Sequence, residues 1–272
     1  SSSMDRNFLK KKSNSKNFPT KNSMMMNGSR ITDLFFKAFF PTLITVFCPT
    51  FFMSRPLFSA DFLSARKEMV EDQIKRRGIQ DKAVLQALLK VPRHLFVEPE
   101  YLSRAYSDFA LPIKENQTIS QPYIVALMTQ SAMLQSDDRV LEIGTGSAYQ
   151  AAVLAEIVKE VYSIEIVESL ARTAESKLKE LGYNNVTVRH GDGYRGWQEK
   201  SPFDAILITA ATPKIPRPLL DQLKVGGRMV LTLGKTGSSQ ELMVLTKQED
   251  GSLKEKFITA VVFVPMTGEI RQ

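Results

Sequence analysis

One cysteine, two histidines and one tryptophan are all that these 272 residues hold of those types. Cys48 alone excludes an intramolecular disulfide and any zinc site built from several thiolates. With only His94 and His190 to add, a metal would have to sit among carboxylates, and no group of acids has the spacing of a ligand set. Long apolar runs are lacking too. The best stretch, residues 31–53, is interrupted by Lys37, Pro41 and Pro49 and falls short of the ~20 apolar residues that a spanning helix needs. Net charge is missing where a nucleic acid would require it. The formal charge is +7, but residues 1–55 carry nine Lys/Arg against Asp5 and Asp33, and the rest holds 27 basic and 27 acidic side chains. A nucleic-acid enzyme shows its electrostatic footprint in the folded domain. This balance argues against an RNA or DNA substrate.

What is present divides the chain near residue 55. Residues 1–55 form an extension, basic and polar over 1–30 and apolar over 31–53, that reads as disordered or signal-like. An export signal, a membrane anchor, or translation that begins only at Met53 would each account for it. Bulky Phe58, three places before the best cleavage point after Ala60, speaks against the first. Residues 56–272 read as one α/β domain with a helical part, 59–134, and a sheet-bearing part, 139–272. The helical part is predicted to contain a helix from Ser59 to Arg77 ended by Gly78, a helix from Ala83 to Leu89 capped by Asp81, and a helix from Tyr123 to Leu134. The segments 91–99 and 111–122 between them read as loops.

The centre of the domain is the segment 139–149, Arg-Val-Leu-Glu-Ile-Gly-Thr-Gly-Ser-Ala-Tyr. It is predicted as a short buried strand, Arg139 to Ile143, a glycine turn, and an apolar helix from Ala148 to Val158. A strand, a small-residue turn and a helix start make a nucleotide-cofactor site, because the ligand can approach the backbone and meet free N–H groups. Such turns also occur with no ligand. A dinucleotide fingerprint would have a third glycine where Tyr149 stands. An acid instead precedes the first glycine by two, in Glu142-Ile143-Gly144-Thr145-Gly146. This pattern resembles the first motif of S-adenosylmethionine-dependent methyltransferases.

Downstream, strands are expected at Glu160–Ile166, Val186–His190, Ala205–Thr209 and Arg228–Leu233, alternating with helices at Ser169–Leu181 and Pro216–Leu223. Two last strands, Glu241–Lys247 and Phe257–Val264, flank the hairpin turn Glu249-Asp-Gly-Ser. The fold class is therefore α/β: a Rossmann-like, doubly wound, mostly parallel sheet with a C-terminal antiparallel strand pair and N-terminal helices, which resembles the methyltransferase variant of that layout. Ligands in such sheets bind at the strand C-terminal ends. Glu165 closes the second strand, where it is either a solvated acid or the acceptor for both ribose hydroxyls. Asp192, between Gly191 and Gly193, is either part of a turn or the acceptor for an adenine amino group. Three acid-bearing strand ends, at Glu142, Glu165 and Asp192, suit a cationic sulfonium without phosphates. S-adenosylmethionine is the expected cofactor, held by these acids with Gly144, Thr145, Gly146 and Gly193.

Six motifs then carry a specific resemblance: Val91-Pro-Arg93, Ala110-Leu-Pro-Ile113, Thr118-Ile-Ser120-Gln121-Pro122, Leu141 to Ser147, Arg189-His-Gly-Asp-Gly193 and Pro202-Phe-Asp-Ala-Ile206. In this order they resemble the protein-L-isoaspartate O-methyltransferases. The likeness runs from about Met69 to the C-terminus and includes Phe263-Val-Pro-Met266. It implies methyl transfer from S-adenosylmethionine to the free α-carboxyl of L-isoaspartyl residues in damaged proteins and peptides, which are the partners expected; the ester then collapses to a succinimide. It implies that Ser120 is the active-site residue, orienting the substrate carboxylate, with Thr118 and Gln121 shaping the same substrate loop. Gln240 either reaches the cofactor or is a surface turn residue. His94 is expected to pack, and His190 to orient the Asp192 loop. One departure stands out: Ala148 replaces a third glycine of the cofactor loop and is expected, by crowding, to weaken cofactor binding at most. The cytoplasm is the expected compartment, since the methyl donor is made there. Two rivals fit poorly. A nicotinamide enzyme lacks its third glycine, and a serine hydrolase lacks G-x-S-x-G around Ser120 or Ser147.

Overall fold

The computed structural model describes residues 57–235 and 238–271, so the signal-like extension over 1–55 lies outside the described residues. Helix α1 (Leu57–Glu68) opens the domain, then widens into a single π turn over Met69–Ile74 and tightens into a 3-10 turn over Lys75–Arg77. Sequence periodicity predicts one continuous helix here. The wide turn buries Met69, Val70 and Ile74 together, which a strict 3.6-residue repeat would spread around the axis. Gly78, at φ 95°, ends the run in the left-handed conformation open to glycine. Asp81 caps α2 (Lys82–Lys90) through bonds from the Ala83 and Val84 N–H groups, a cap worth about 1 kcal/mol.

The segment read as a loop over 111–122 contains a small ribbon. Strand β1 (Leu111–Pro112) pairs antiparallel with β2 (Thr118–Ile119), joined by a 3-10 turn in which Glu115 and Asn116 take positive φ. Leu111 faces Ile119 and both are buried. Two residues per strand leave no alternation to read, which is why the pattern is invisible in the sequence. Pro122 then starts α3 (Pro122–Ser131) at a position where its missing N–H costs nothing.

Strands β3 (Arg139–Ile143), β4 (Glu160–Glu165), β5 (Val186–His190), β6 (Phe203–Thr212), β7 (Leu223–Leu233), β8 (Gln240–Lys247) and β9 (Leu253–Val261) form one sheet, in the order β5-β4-β3-β6-β7-β8-β9. The first five are mutually parallel. β8 runs antiparallel to both β7 and β9. Helices α4 (Tyr149–Ala155), α5 (Glu168–Glu180) and α6 (Arg217–Asp221) make the crossovers. The order reverses between β3 and β6, and a crevice opens at such a switch point above the strand C-terminal ends.

Alternation along β3 sorts its side chains between two cores. Val140 packs with Leu154 and Val161 on one face; Leu141 and Ile143 pack with Tyr162, Ile206 and Met229 on the other. Glu142 therefore shares Val140's face. The parallel register sets it beside Ser163 of β4. The N-terminal helices complete a third cluster, in which Met69, Ile74 and Leu88 meet Tyr149 and Val153 of α4. Among the described residues no helix is long and apolar enough to cross a membrane, and no group of His, Cys, Asp or Glu could hold a metal.

Candidate active site

The turn after β3 is held from both sides. Gly144, at φ 97°, donates its N–H to the Ile164 carbonyl at 2.8 Å, and the Gly146 N–H reaches Glu165 Oε2 at 2.8 Å. The Thr209 hydroxyl on β6 lies 3.0 Å from the Ile143 carbonyl and 2.8 Å from that of Gly144. A bulge between Leu207 and Ala211 re-aims β6 at this point, and bulges serve that purpose beside active sites. A Cβ on Gly144 would stand 2.6 Å from the Thr209 hydroxyl. Only glycine fits there.

Around this turn lies a cleft of about 830 Å³, open mouth included. Its floor is Gly144 to Ser147. One wall is the ribbon segment Gln117 to Ser120, another the C-terminal segment Val264 to Thr267, and Ile143, Ile164, Ile166 and Val167 supply apolar surface. The C-terminal segment is seated by two bonds of 2.8 Å, from the Ala211 N–H to the Val264 carbonyl and from the Met266 N–H to the Ala211 carbonyl. Glu165 is the one charged residue among the described lining residues. No lysine, arginine or histidine is there to neutralise a phosphate. A phosphate-free cation with a flat apolar portion and hydroxyls suits this lining.

The expected site residues fall into two groups. Gly144, Thr145, Gly146, Glu165 and Gly193 line the cleft, and so do Thr118 and Ser120. Glu165 takes one backbone N–H on each oxygen, from Gly146 at 2.8 Å and from Val167 at 3.0 Å, which leaves a second lone pair on each. Gly193 lets the chain pass close: a Cβ there would lie 2.3 Å from Ile143 Cγ2. Thr145 contributes its hydroxyl to a buried chain, 2.6 Å from Ser163.

Glu142, Asp192, Gln121 and Gln240 are not among the cleft's lining residues. Glu142 is fully buried behind the turn; one oxygen accepts from the Ser163 hydroxyl at 2.5 Å and the other has no partner. Burial pushes its carboxyl up to about 8, with the nearby Glu165 charge adding and the Ser163 bond opposing. Asp192 spends its carboxylate on two backbone N–H groups, Tyr194 at 2.9 Å and Glu269 at 2.8 Å, so it braces Gly193 from behind. Gln240 accepts from the Phe263 N–H at 2.8 Å and donates to the Lys235 carbonyl at 3.3 Å, which ties the end of β9 to the glycine turn before β8. Gln121 donates to Asp108 at 2.8 Å, and Asp108 also pairs with Arg77.

Gln121 instead lines a second, outer groove with Asp108, Phe109, Val262 and Phe263, on the other side of the ribbon. Thr118 and Ser120 line both spaces. The two histidines divide. His94 stacks on Phe62 at 4.2 Å and shares a 2.7 Å bond with Tyr106, the packing role expected of it. His190 contacts the Ile166 carbonyl at 3.2 Å, so its bond goes to the segment after β4 and not to the Asp192 loop.

Ala148 takes φ 71° with its methyl fully buried. Its cost is therefore backbone strain of about 1–2 kcal/mol, partly offset by a buried methyl group worth about 0.8 kcal/mol. Ala148 does not itself line the cleft. Sequence reasoning missed Thr209, Met266 and Thr267. A threonine near the end of a predicted strand was the only local sign of the first.

Comparison with known proteins adds the following. Residues 64–271 match the family model described as protein-L-isoaspartate(D-aspartate) O-methyltransferase. The protein-L-isoaspartate O-methyltransferase 2 of Shewanella sediminis is 54% identical over 210 residues, covering 77% of this chain and 86% of that protein. The protein-L-isoaspartate O-methyltransferase of Petrotoga mobilis is 53% identical over 210 residues, covering 77% of this chain and 98% of that protein. A solved protein-L-isoaspartate O-methyltransferase superposes with a TM-score of 0.69 at 31% identity, over 75% of this chain and 67% of that one. A Plasmodium falciparum beta-aspartate methyltransferase, solved with S-adenosyl-L-homocysteine, gives a TM-score of 0.65 at 25% identity, over 74% and 98% of the two chains.

Proposed function

Because the chain belongs to the protein-L-isoaspartate(D-aspartate) O-methyltransferase family, we propose that its cleft holds S-adenosylmethionine and that Ser120 presents the substrate to it. The enzyme transfers a methyl group to the free α-carboxyl of L-isoaspartyl residues in damaged proteins, and the ester formed leads through a succinimide back to aspartyl. The observation that carries the assignment of residues is the double exposure of Ser120. The residue lines both the cofactor cleft and the outer groove, so a carboxylate entering from the groove meets the cleft there.

Within the cleft, Glu165 accepts from two ribose hydroxyls through its free lone pairs, and Gly144, Gly146 and Gly193 let the cofactor lie against the backbone. Asp192 acts through Gly193, and Gln240 through the turn it braces. When bound, S-adenosylmethionine supplies an electrophilic methyl group. The protein's part is positional. The substrate carboxylate, with a reference pKa of ~3.5, is already ionised at neutral pH and needs no general base. Among the described residues, none that lines the cleft is a histidine or a cysteine. The Ser120 hydroxyl donates to one carboxylate oxygen and leaves the other in line with the methyl carbon, while the ribbon wall excludes water.

Assaying methyl incorporation into an isoaspartyl peptide beside its normal aspartyl twin tests the reading. Label is expected in the first only; equal labelling of both would overturn the substrate assignment. Ser120→Ala is expected to lower kcat about 10- to 100-fold, as the loss of one charge-assisted bond predicts, with cofactor affinity unchanged within about twofold. An unchanged kcat would remove Ser120 from the mechanism. The cytoplasm is the compartment we propose, and a mature protein that keeps residues 31–53 in the membrane fraction would contradict that.

A further inference from the structure

Arg93 lies in the 3-10 turn after α2, and its side chain has no exposure at all. Its guanidinium donates to two main-chain oxygens, from Nε to Ala105 and from Nη2 to Ser120, each at 2.8 Å. The guanidinium carbon sits 4.7 Å from the ring centroid of Tyr149. Nη1 and the Tyr149 hydroxyl have no partner that meets hydrogen-bond geometry, though the hydroxyl is near enough to favour the charged guanidinium. Among the described residues, no carboxylate forms an ion pair with it. The acid whose charge acts on it, Asp108, is engaged by Arg77, by Gln121 and by the Tyr123 N–H.

A buried cation is costly unless paired, and truly buried arginines are nearly always found with an acid. Two carbonyl dipoles and a ring face offset only part of that cost. Burial pulls the guanidinium down to about 10, which still leaves it charged at neutral pH. The incompletely compensated charge lies directly behind Ser120, whose carbonyl it grips and which lines both cleft and groove. Low dielectric between them keeps the interaction strong.

We infer that Arg93 is a positioning residue that selects an anionic substrate: the carboxylate docking at Ser120 is the counter-charge that the protein itself withholds. The inference rests on the reading that the substrate carboxylate meets Ser120. It makes the Val91-Pro-Arg93 segment part of substrate recognition although none of it lines either space. It also explains why the fork of an arginine is used. Two nitrogens hold the Ala105 and Ser120 segments in register while the charge stays fixed.

The test pairs an isoaspartyl peptide with its carboxamide twin, in which the free α-carboxyl is a neutral amide of the same shape, used as a competitive ligand. The wild-type enzyme is expected to prefer the carboxylate. Arg93→Met is expected to raise KM for the isoaspartyl peptide about tenfold while Ki for the carboxamide and Kd for S-adenosylhomocysteine stay within about twofold. Arg93→Lys, which keeps the charge and loses the fork, is expected to retain the preference for carboxylate. Equal weakening of both peptides in Arg93→Met, or loss of cofactor-product affinity, would overturn the inference and leave the Ser120 reading intact. Should Arg93→Met fail to fold, the lysine variant decides: a preference lost with the charge retained is fatal to the idea. A wild-type enzyme indifferent to the two peptides would instead sink the Ser120 reading beneath it.

Discussion

Glu165→Ala is expected to weaken S-adenosylhomocysteine binding about 100- to 1000-fold. Two interactions to a carboxylate are lost, each worth about 1.5–3 kcal/mol, and the lower end already amounts to about 3 kcal/mol, or about two orders of magnitude in Kd. The loss has a second source. Glu165 receives the Gly146 and Val167 N–H groups, so its removal frees the turn that forms the cleft floor as well as the site of the ribose hydroxyls. Glu165→Gln separates the two effects. Its amide oxygen keeps one backbone bond and one ribose contact, while its NH2 group faces a backbone donor, so an intermediate affinity is expected. Titration calorimetry on the three proteins reads this directly. An alanine variant that binds within threefold of wild type would take Glu165 out of the cofactor site. KM for the peptide is expected to move far less, because Glu165 does not line the outer groove.

Glu142 sets the second large effect, and this one appears in stability. Burial holds its carboxyl near 8 in the folded protein against an ordinary value of 4.5. Between those limits the native state binds a proton that the unfolded chain has released, so stability falls as pH rises. The contribution is fully present below pH 4.5 and lost by the time pH has passed 8. The gap, at about 1.36 kcal/mol per pH unit, is worth of order 4–5 kcal/mol. Glu142→Gln mimics the protonated form in shape and keeps an acceptor for the Ser163 hydroxyl. Without cofactor, it is expected to match wild type at pH 4 and to exceed it by several kcal/mol above pH 8. Urea denaturation across that range checks it. Comparing the two proteins cancels the opposite contribution of His94, whose imidazole is held below its ordinary value by burial. Parallel curves for the two proteins would show that Glu142 is ionised throughout.

These two acids also show how far the sequence could be read. Both stand near parallel strand ends and both are expected to face the cofactor. Glu165 is the last residue of β4 and reaches the cleft. Glu142 is one residue short of the end of β3, and the pleat turns it onto the face it shares with Val140. Alternation along β3, whose end at Ile143 was legible, already sets Glu142 on the face of Val140; what spacing does not tell is whether that face is buried or open to the cleft at this point. Asp192 stands outside the lining for a different reason. The N–H group of Glu269 that claims one of its oxygens comes from the far end of the chain, and no local pattern announces it. The five parallel strands, the terminal hairpin, the Asp81 cap and the Gly78 stop were all written in spacing and residue type. The β1–β2 ribbon, the π turn and the bulge that aims Thr209 were not, because each depends on what packs against it.

The walls of the cleft come from segments 117–120 and 264–267, with the strand order reversing between them. Contacts of such sequence separation form late, after the loop-closure entropy of nearly the whole domain has been met. The cofactor therefore has nothing to grip in a folding nucleus. It is expected to act as a latch on the finished molecule, slowing the unfolding rate while leaving the folding rate as it was.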